Sequence, residues 1–365
     1  MVEKQLFSPG KWFEELFGFK ESVKAVYENF TCEEKGDSNI ITSKANGKSY
    51  NAGNFQVRSI SSFKDLKPRG GGKLSVIVGN GRSTKNYKMI DVLMSEAQPE
   101  NNGATYLAAS NFNCLEFVGE FQTASMGVTG YVYDNTQGPY AALACGPAIV
   151  YRNYFVKVDD SHIGQIDKEI ELLGDTPIPV INGYPSLKES FETDKKFSSF
   201  DWDNLDHYKV GVHRNCQVTT TETPNRKFYL HDNENHIVHQ VYAAAFNFQG
   251  NCDLCKFTEK IGANLLKAEY MATVYAAWEN SLLYPDRPGS NKLYLTLLGG
   301  GVFGNPENLI LGAIAECCEV IEKSGLDVYI VCYCESSQTM RVIEEKLGKF
   351  IKKSGGSFIN PDKMK

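Results

Sequence analysis

Nowhere in these 365 residues does an apolar run approach the length needed to cross a bilayer. The first eighteen residues do not form a secretory signal, because Glu3, Lys4, Lys11, Glu14 and Glu15 break any apolar stretch. Positive charge is in short supply. Lys and Arg number 38 against 44 Asp and Glu, and the net charge of -6 argues against a broad nucleic-acid or membrane-surface footprint. Internal repeats and low-complexity segments are absent, which excludes solenoids and disordered arrays. Of ten cysteines, Cys145, Cys317, Cys318, Cys332 and Cys334 sit in apolar segments, the pattern of reduced core residues in a cytoplasmic protein. Cys252 and Cys255 form a C-x-x-C without a second pair at zinc-ribbon spacing. His231, His236 and His239 lack an H-E-x-x-H helix, so neither a metal nor a cofactor is expected.

What remains is an ordinary globular composition, 42% hydrophobic and 22% charged, in a chain long enough for a sizeable core. Periodicity predicts strands over 74–78, 105–109, 154–158, 208–220, 237–246, 294–298 and 326–333. It predicts helices over 86–97, 140–150, 163–173, 254–283, 306–324 and 336–353. Their alternation implies an α/β layer fold with a mostly buried sheet. Trp12, Phe13, Leu16, Phe17 and Phe19 make an aromatic anchor near the N-terminus, and 36–54 has the polar turns of a hairpin. Residues 174–208, with Pro177, Pro179, Gly183 and Pro185, read as an irregular insertion or lid.

One stretch organises the rest. Over 294–306, YLTLLGGGVFGNP, a buried strand runs into Gly299, Gly300, Gly301 and Gly304 and then into a helix, with Asn305 as cap and Pro306 in the first turn. Residues without Cβ let the backbone approach a ligand and present several N–H groups, together with the helix end, to one phosphate or pyrophosphate. A tight connection that binds nothing is equally compatible with the glycines. The Walker lysine and the G-x-G-x-x-G spacing are both missing, and Gly79 to Thr84 lack the G-K-[ST] of a P-loop.

A second signature joins the first. Strand 105–109 ends in Ala108, Ala109, Ser110 and Asn111, followed by a long polar loop to Gln137. With Gly299 to Asn305, this order resembles a divergent macrodomain, whose N-A-A-N strand end opens the first ligand loop and whose later glycine loop cradles the pyrophosphate of ADP-ribose. The resemblance covers roughly 105–355 less the insertion. The G-G-G then Q-E-E signature of poly(ADP-ribose) glycohydrolases is absent, and the sequence is most similar to macrodomain ADP-ribosylhydrolases that include arginine-specific members. The resemblance implies a macrodomain-like three-layer α/β/α sandwich with a mixed central sheet. Residues 1–100 would form an extension packed on a core of 101–365. The implied partners are ADP-ribose and ADP-ribosylated protein, and the implied activity is removal of single ADP-ribose units. A non-catalytic ADP-ribose-binding module is the alternative.

Cleaving ADP-ribose from a side chain passes through an oxocarbenium-like transition state, which a carboxylate assists by activating water. The first loop supplies Glu116, Glu120 and Asp134. Asp134 is the first candidate, since Asn135, Thr136 and Gln137 set other polar groups beside it at a helix start, where it would serve equally well as a cap. Glu116 is the second candidate. Ser110, Asn111, Asn113 and Gln137 are candidate ribose or phosphate contacts, and turn-forming asparagines would look the same. Gly299, Gly300, Gly301, Val302, Phe303, Gly304 and Asn305 would form the phosphate loop, with Phe303 resembling the aromatic that macrodomains place against the distal ribose. Asn247 borders the same cleft. Arg152 either holds an anion or pairs with a carboxylate.

Overall fold

The computed structural model describes residues 6–186, 195–231, 233–249 and 256–364. Cys252, Cys255 and part of the 174–208 insertion lie outside them. Ten strands share one sheet: β1 (Phe30–Lys35), β2 (Ser38–Ser43), β3 (Ser49–Arg58), β4 (Lys73–Val78), β5 (Thr105–Ala109), β6 (Val210–Gln217), β7 (Ile237–Ala243), β8 (Lys292–Thr296), β9 (Asp327–Cys332) and β10 (Phe358–Ile359). Their spatial order is β10-β4-β9-β8-β5-β7-β6-β3-β2-β1. The first six in that order run parallel, and from β7 onward each neighbour is antiparallel. Residues 1–100, read above as an extension, therefore place β3 and β4 inside the sheet.

Side-chain alternation divides the core into two layers. Leu107, Val241, Ala243, Leu293 and Leu295 face one side, where α5 (Lys256–Leu283), α6 (Glu307–Glu316), α7 (Cys318–Ser324) and α8 (Ser337–Ser354) pack. Tyr106, Ala108, Val238 and Tyr242 face the other, against α1 (Trp12–Phe17), α2 (Val92–Glu96), α3 (Gln137–Ala144) and α4 (Gly146–Val150). This is the expected three-layer sandwich with a mixed sheet. A parallel sheet buried on both faces needs apolar residues at every position, as β9 (DVYIVC) and β4 (KLSVIV) nearly supply.

Three local expectations are corrected. Residues 154–158 are not a strand: α4 continues into a wide turn over Tyr151–Phe155, closed by Val156 N–H donating to Tyr151 C=O at 2.8 Å. Residues 163–173 are not a helix. Gly164 sits at φ 76°, and tertiary bonds claim the backbone, with Gln165 N–H on Asn153 C=O and Leu172 N–H on Phe112 C=O. The long helix expected after Pro306 breaks at Cys317 into α6 and α7.

Candidate functional site

Helix α3, which follows β5, lies on one face of the sheet, and α6, which follows β8, lies on the other. Neighbouring parallel strands whose connections leave to opposite faces create a crevice at their carboxyl ends. The split is visible in the ladder, where β8 pairs with β5 only at Leu293↔Thr105 and Tyr294↔Tyr106. Beyond these pairs the Gln137 side chain stands in for the missing strand: Oε1 accepts from Ala109 N–H at 2.8 Å and Nε2 donates to Leu107 C=O at 2.7 Å. A cavity of ≈ 260 Å³ opens here, lined by Gln137, Asn135, Thr136, Thr296 and the rings of Tyr87, Tyr106, Tyr140, Tyr294 and Tyr333. Tyr106 stacks on Tyr294 at 4.6 Å, and the Tyr87 and Tyr333 hydroxyls meet at 3.0 Å. Asp91 and Arg226 also line it. Burial raises the Asp91 carboxyl, whose Oδ1 accepts from Met94 N–H to cap α2.

On the far side of the β5 terminus lies a second, larger cleft of ≈ 570 Å³, with Ser110, Asn111, Phe112, Glu120, Phe121, Ala244, Ala245, Asn247 and Phe303 in its walls. The insertion supplies one wall, through Gly183, Tyr184, Pro185 and Ser186. It is tied down by Phe112 N–H on Gly183 C=O, Tyr184 OH on Phe117 C=O and Asn182 Nδ2 on Glu120 C=O. Gly183 has φ 78°, and a Cβ there would fall 2.6 Å from Asn113, so only glycine allows the insertion to approach the first loop this closely.

The candidate contacts separate when placed. Ser110 and Asn111 line the larger cleft, although Asn111 Nδ2 is engaged with Phe117 C=O at 2.8 Å. Asn113 lines neither cavity; it is fully buried, with Oδ1 accepting from Leu115 N–H. Gln137 belongs to the crevice. Phe303 borders the larger cleft, while Val302 is 71% exposed. Gly299 and Gly304 take φ of 73° and 62°. Gly300 N–H donates to Leu297 C=O and Gly304 N–H to Gly301 C=O, whereas the N–H groups of Gly301, Val302 and Phe303 make no hydrogen bond among the described residues. Asn305 is not the helix cap. Pro306 takes that position with ψ 134°, and Asn305 Nδ2 instead donates to Phe246 C=O at 2.7 Å and Gly299 C=O at 3.3 Å, latching the glycine loop to the end of β7. The first turn of α6 carries Glu307, which offsets part of its positive end.

The two candidate carboxylates differ in setting. Glu116 is enclosed, its side chain 1% exposed. Ser110 Oγ donates to its Oε1 at 3.1 Å, Arg152 Nη2 lies 3.4 Å from its Oε2, and its backbone N–H reaches Tyr131 OH. Burial pushes its carboxyl up to about 7 against the opposing pull of Arg152 and Ser110. Arg152 is completely buried and lies over the Tyr242 ring at 3.7 Å. Its Nη1 meets His213 Nδ1, whose Nε2 faces Ala52 C=O, so His213 Nε2 carries the ring proton and Nδ1 accepts. Asp134 is half-buried at the end of a helical turn, Thr129–Tyr133. Its Oδ1 accepts from Thr136 N–H at 2.9 Å, just before the crevice residues Asn135, Thr136 and Gln137. Sequence reasoning missed Asp91, Tyr87, Tyr333 and Arg226, which come from three separate segments with no shared motif. His236 and His239 are core residues: one ring bonds Glu96 C=O, and the other stacks on Tyr284 at 4.9 Å.

No protein-family model matches the chain, and no curated protein does. Among solved structures, poly(ADP-ribose) glycohydrolase from Thermomonospora curvata is similar over 95% of this chain and 98% of that one, at 11% identity and a TM-score of 0.43. The Deinococcus radiodurans poly(ADP-ribose) glycohydrolase in complex with ADP-ribose is similar over 81% of this chain and 94% of its own, at 13% identity and a TM-score of 0.39.

Proposed function

We propose that the chain binds ADP-ribose across the carboxyl ends of β5 and β8 and hydrolyses its bond to modified protein side chains. The observation that carries this reading is the switch-point crevice with a second cleft on the other side of the β5 terminus. A ligand with one flat aromatic end and one polyhydroxyl end fits such a pair. The tyrosine-lined crevice suits a purine, and the cleft beside Ser110 and Phe303 suits the terminal ribose. The unbonded N–H groups of Gly301, Val302 and Phe303 would hold the intervening phosphates. Asp134 is our first candidate for activating water, because Thr136 pins one of its oxygens and its charge reaches Tyr184 in the wall of the larger cleft. Glu116, acting through Ser110, is the second. Removal of single units, and arginine among the acceptors, rest on the sequence resemblance alone.

Binding without turnover is favoured by one observation: Glu116 is enclosed and held by Arg152. Calorimetric titration with ADP-ribose, using AMP and ADP as controls, tests what both readings share. Saturable binding that prefers ADP-ribose is expected, and no binding would overturn both. Release of ADP-ribose from arginine-, serine- or glutamate-linked protein then separates enzyme from binder.

A further inference from the structure

We infer that Glu21 is a positioning residue through which the N-terminal segment fixes the loop carrying both candidate carboxylates. The inference rests on the hydrolase reading for its effect on turnover but not for its effect on the loop. Four donors converge on this one carboxylate. Val128 N–H reaches both oxygens at 2.8 and 2.9 Å, Thr129 N–H and Thr129 Oγ1 each reach Oε2 at 2.6 Å, and Tyr154 OH reaches Oε1 at 2.8 Å. The sequence separations are 107, 108 and 133 residues, so none of this is local turn chemistry.

The position of these bonds gives them their consequence. Val128 and Thr129 open the helical turn Thr129–Tyr133, whose first N–H groups lack partners within the turn, so Glu21 caps it from a distant part of the chain. The backbone is shaped to admit the carboxylate. Gly127 takes φ 82°, and a Cβ on it would fall 2.7 Å from Glu21 Oε2. A second tether from the same segment is Trp12 Nε1, donating to Thr129 C=O at 2.9 Å. The fixed turn then delivers both candidates. Tyr131 within it accepts from Glu116 N–H, and its C=O accepts from Asp134 N–H at 3.1 Å. Hydrogen bonds to a carboxylate are the strong kind, and four donors on one, two of them backbone N–H groups, make a rigid joint.

A residue that only stabilised the fold would lower thermal stability without separating kcat from KM. In the full-length Glu21→Gln protein, the new amide turns N–H groups toward N–H groups. Hydrogen exchange at Val128 and Thr129 should accelerate at least tenfold, and kcat for ADP-ribose release should fall about tenfold while ADP-ribose affinity stays within twofold. Thr129→Val removes a single bond and serves if Glu21→Gln does not fold. It should show the same direction at smaller size, and Thr129→Ser, which keeps the hydroxyl, should behave as wild type. Unchanged exchange in Glu21→Gln overturns the inference. So does faster exchange with unchanged kcat, provided Asp134→Ala or Glu116→Gln lowers kcat in the same assay. If the wild type releases no ADP-ribose, the hydrolase reading falls on that result, and the exchange measurement alone decides the role of Glu21.

Discussion

Asp134 and Glu116 divide the two properties a catalytic base needs. Asp134 is reachable but sits beside the crevice, whereas Glu116 holds its proton to about 7 but contacts the larger cleft only through Ser110. If Asp134 activates water, Asp134→Ala should cut turnover at least about a hundredfold with ADP-ribose affinity largely kept. Glu116→Gln should then act mainly on stability. The reverse pattern in single-turnover assays would make Glu116, acting through Ser110, the group that activates water. The sequence made these carboxylates legible because both fall in a polar loop between a strand end and a helix start. It could not show what each amide or carboxylate is already bonded to. Asn113 and Asn305 looked like ligand contacts, yet Asn113 Oδ1 is taken by Leu115 N–H and Asn305 Nδ2 by Phe246 C=O. Glu21 carried no local signal, since its partners lie more than a hundred residues away.

At the scale of elements, the strands and helices that bury a clean periodic face were legible: β5, β9, α5 and α8 lie where the pattern puts them, and β8 lies two residues earlier. The failures cluster at 154–173, where backbone groups bond to other segments and local periodicity means little. The splayed pair β5 and β8 makes two predictions. Gln137→Ala would leave Ala109 N–H and Leu107 C=O without the side chain that now satisfies them, costing about 2 kcal/mol in urea unfolding. A loss below about 0.5 kcal/mol would mean that water or a shifted β8 fills the gap. Gly301→Val tests the glycine turn separately from folding. A Cβ at Gly301 meets nothing within 4 Å, and its φ is not among the positive ones, so the variant should melt within a degree or two of wild type. Bulk beside the unbonded N–H groups should nonetheless weaken ADP-ribose binding at least about tenfold, and unchanged calorimetric affinity would place the phosphates elsewhere. Gly299 is a poorer probe, because its φ of 73° and a Cβ 2.6 Å from Ala245 would confound folding with binding.

Across the whole molecule, burial has raised several carboxyls together: Glu116 and Glu222 to about 7, with Asp91, Glu96 and Glu269 also above the usual range. Each keeps its proton in the folded state through a window where the unfolded chain has released it. The folded protein therefore binds more protons between about pH 4.5 and 7, and stability must fall as pH rises through that window. For Glu116 the shift from 4.5 to about 7 corresponds to something on the order of 3 kcal/mol. Gln mimics the protonated carboxyl, so Glu116→Gln should resemble wild type near pH 5. By pH 7.5 the wild type must either ionise an enclosed group beside Arg152 or carry its proton at a cost, and the variant escapes that choice. Urea unfolding at the two pH values should show the difference between the proteins moving toward the variant by up to that amount. Parallel pH dependences would mean that Arg152 stabilises the carboxylate fully and that desolvation does not win at this site.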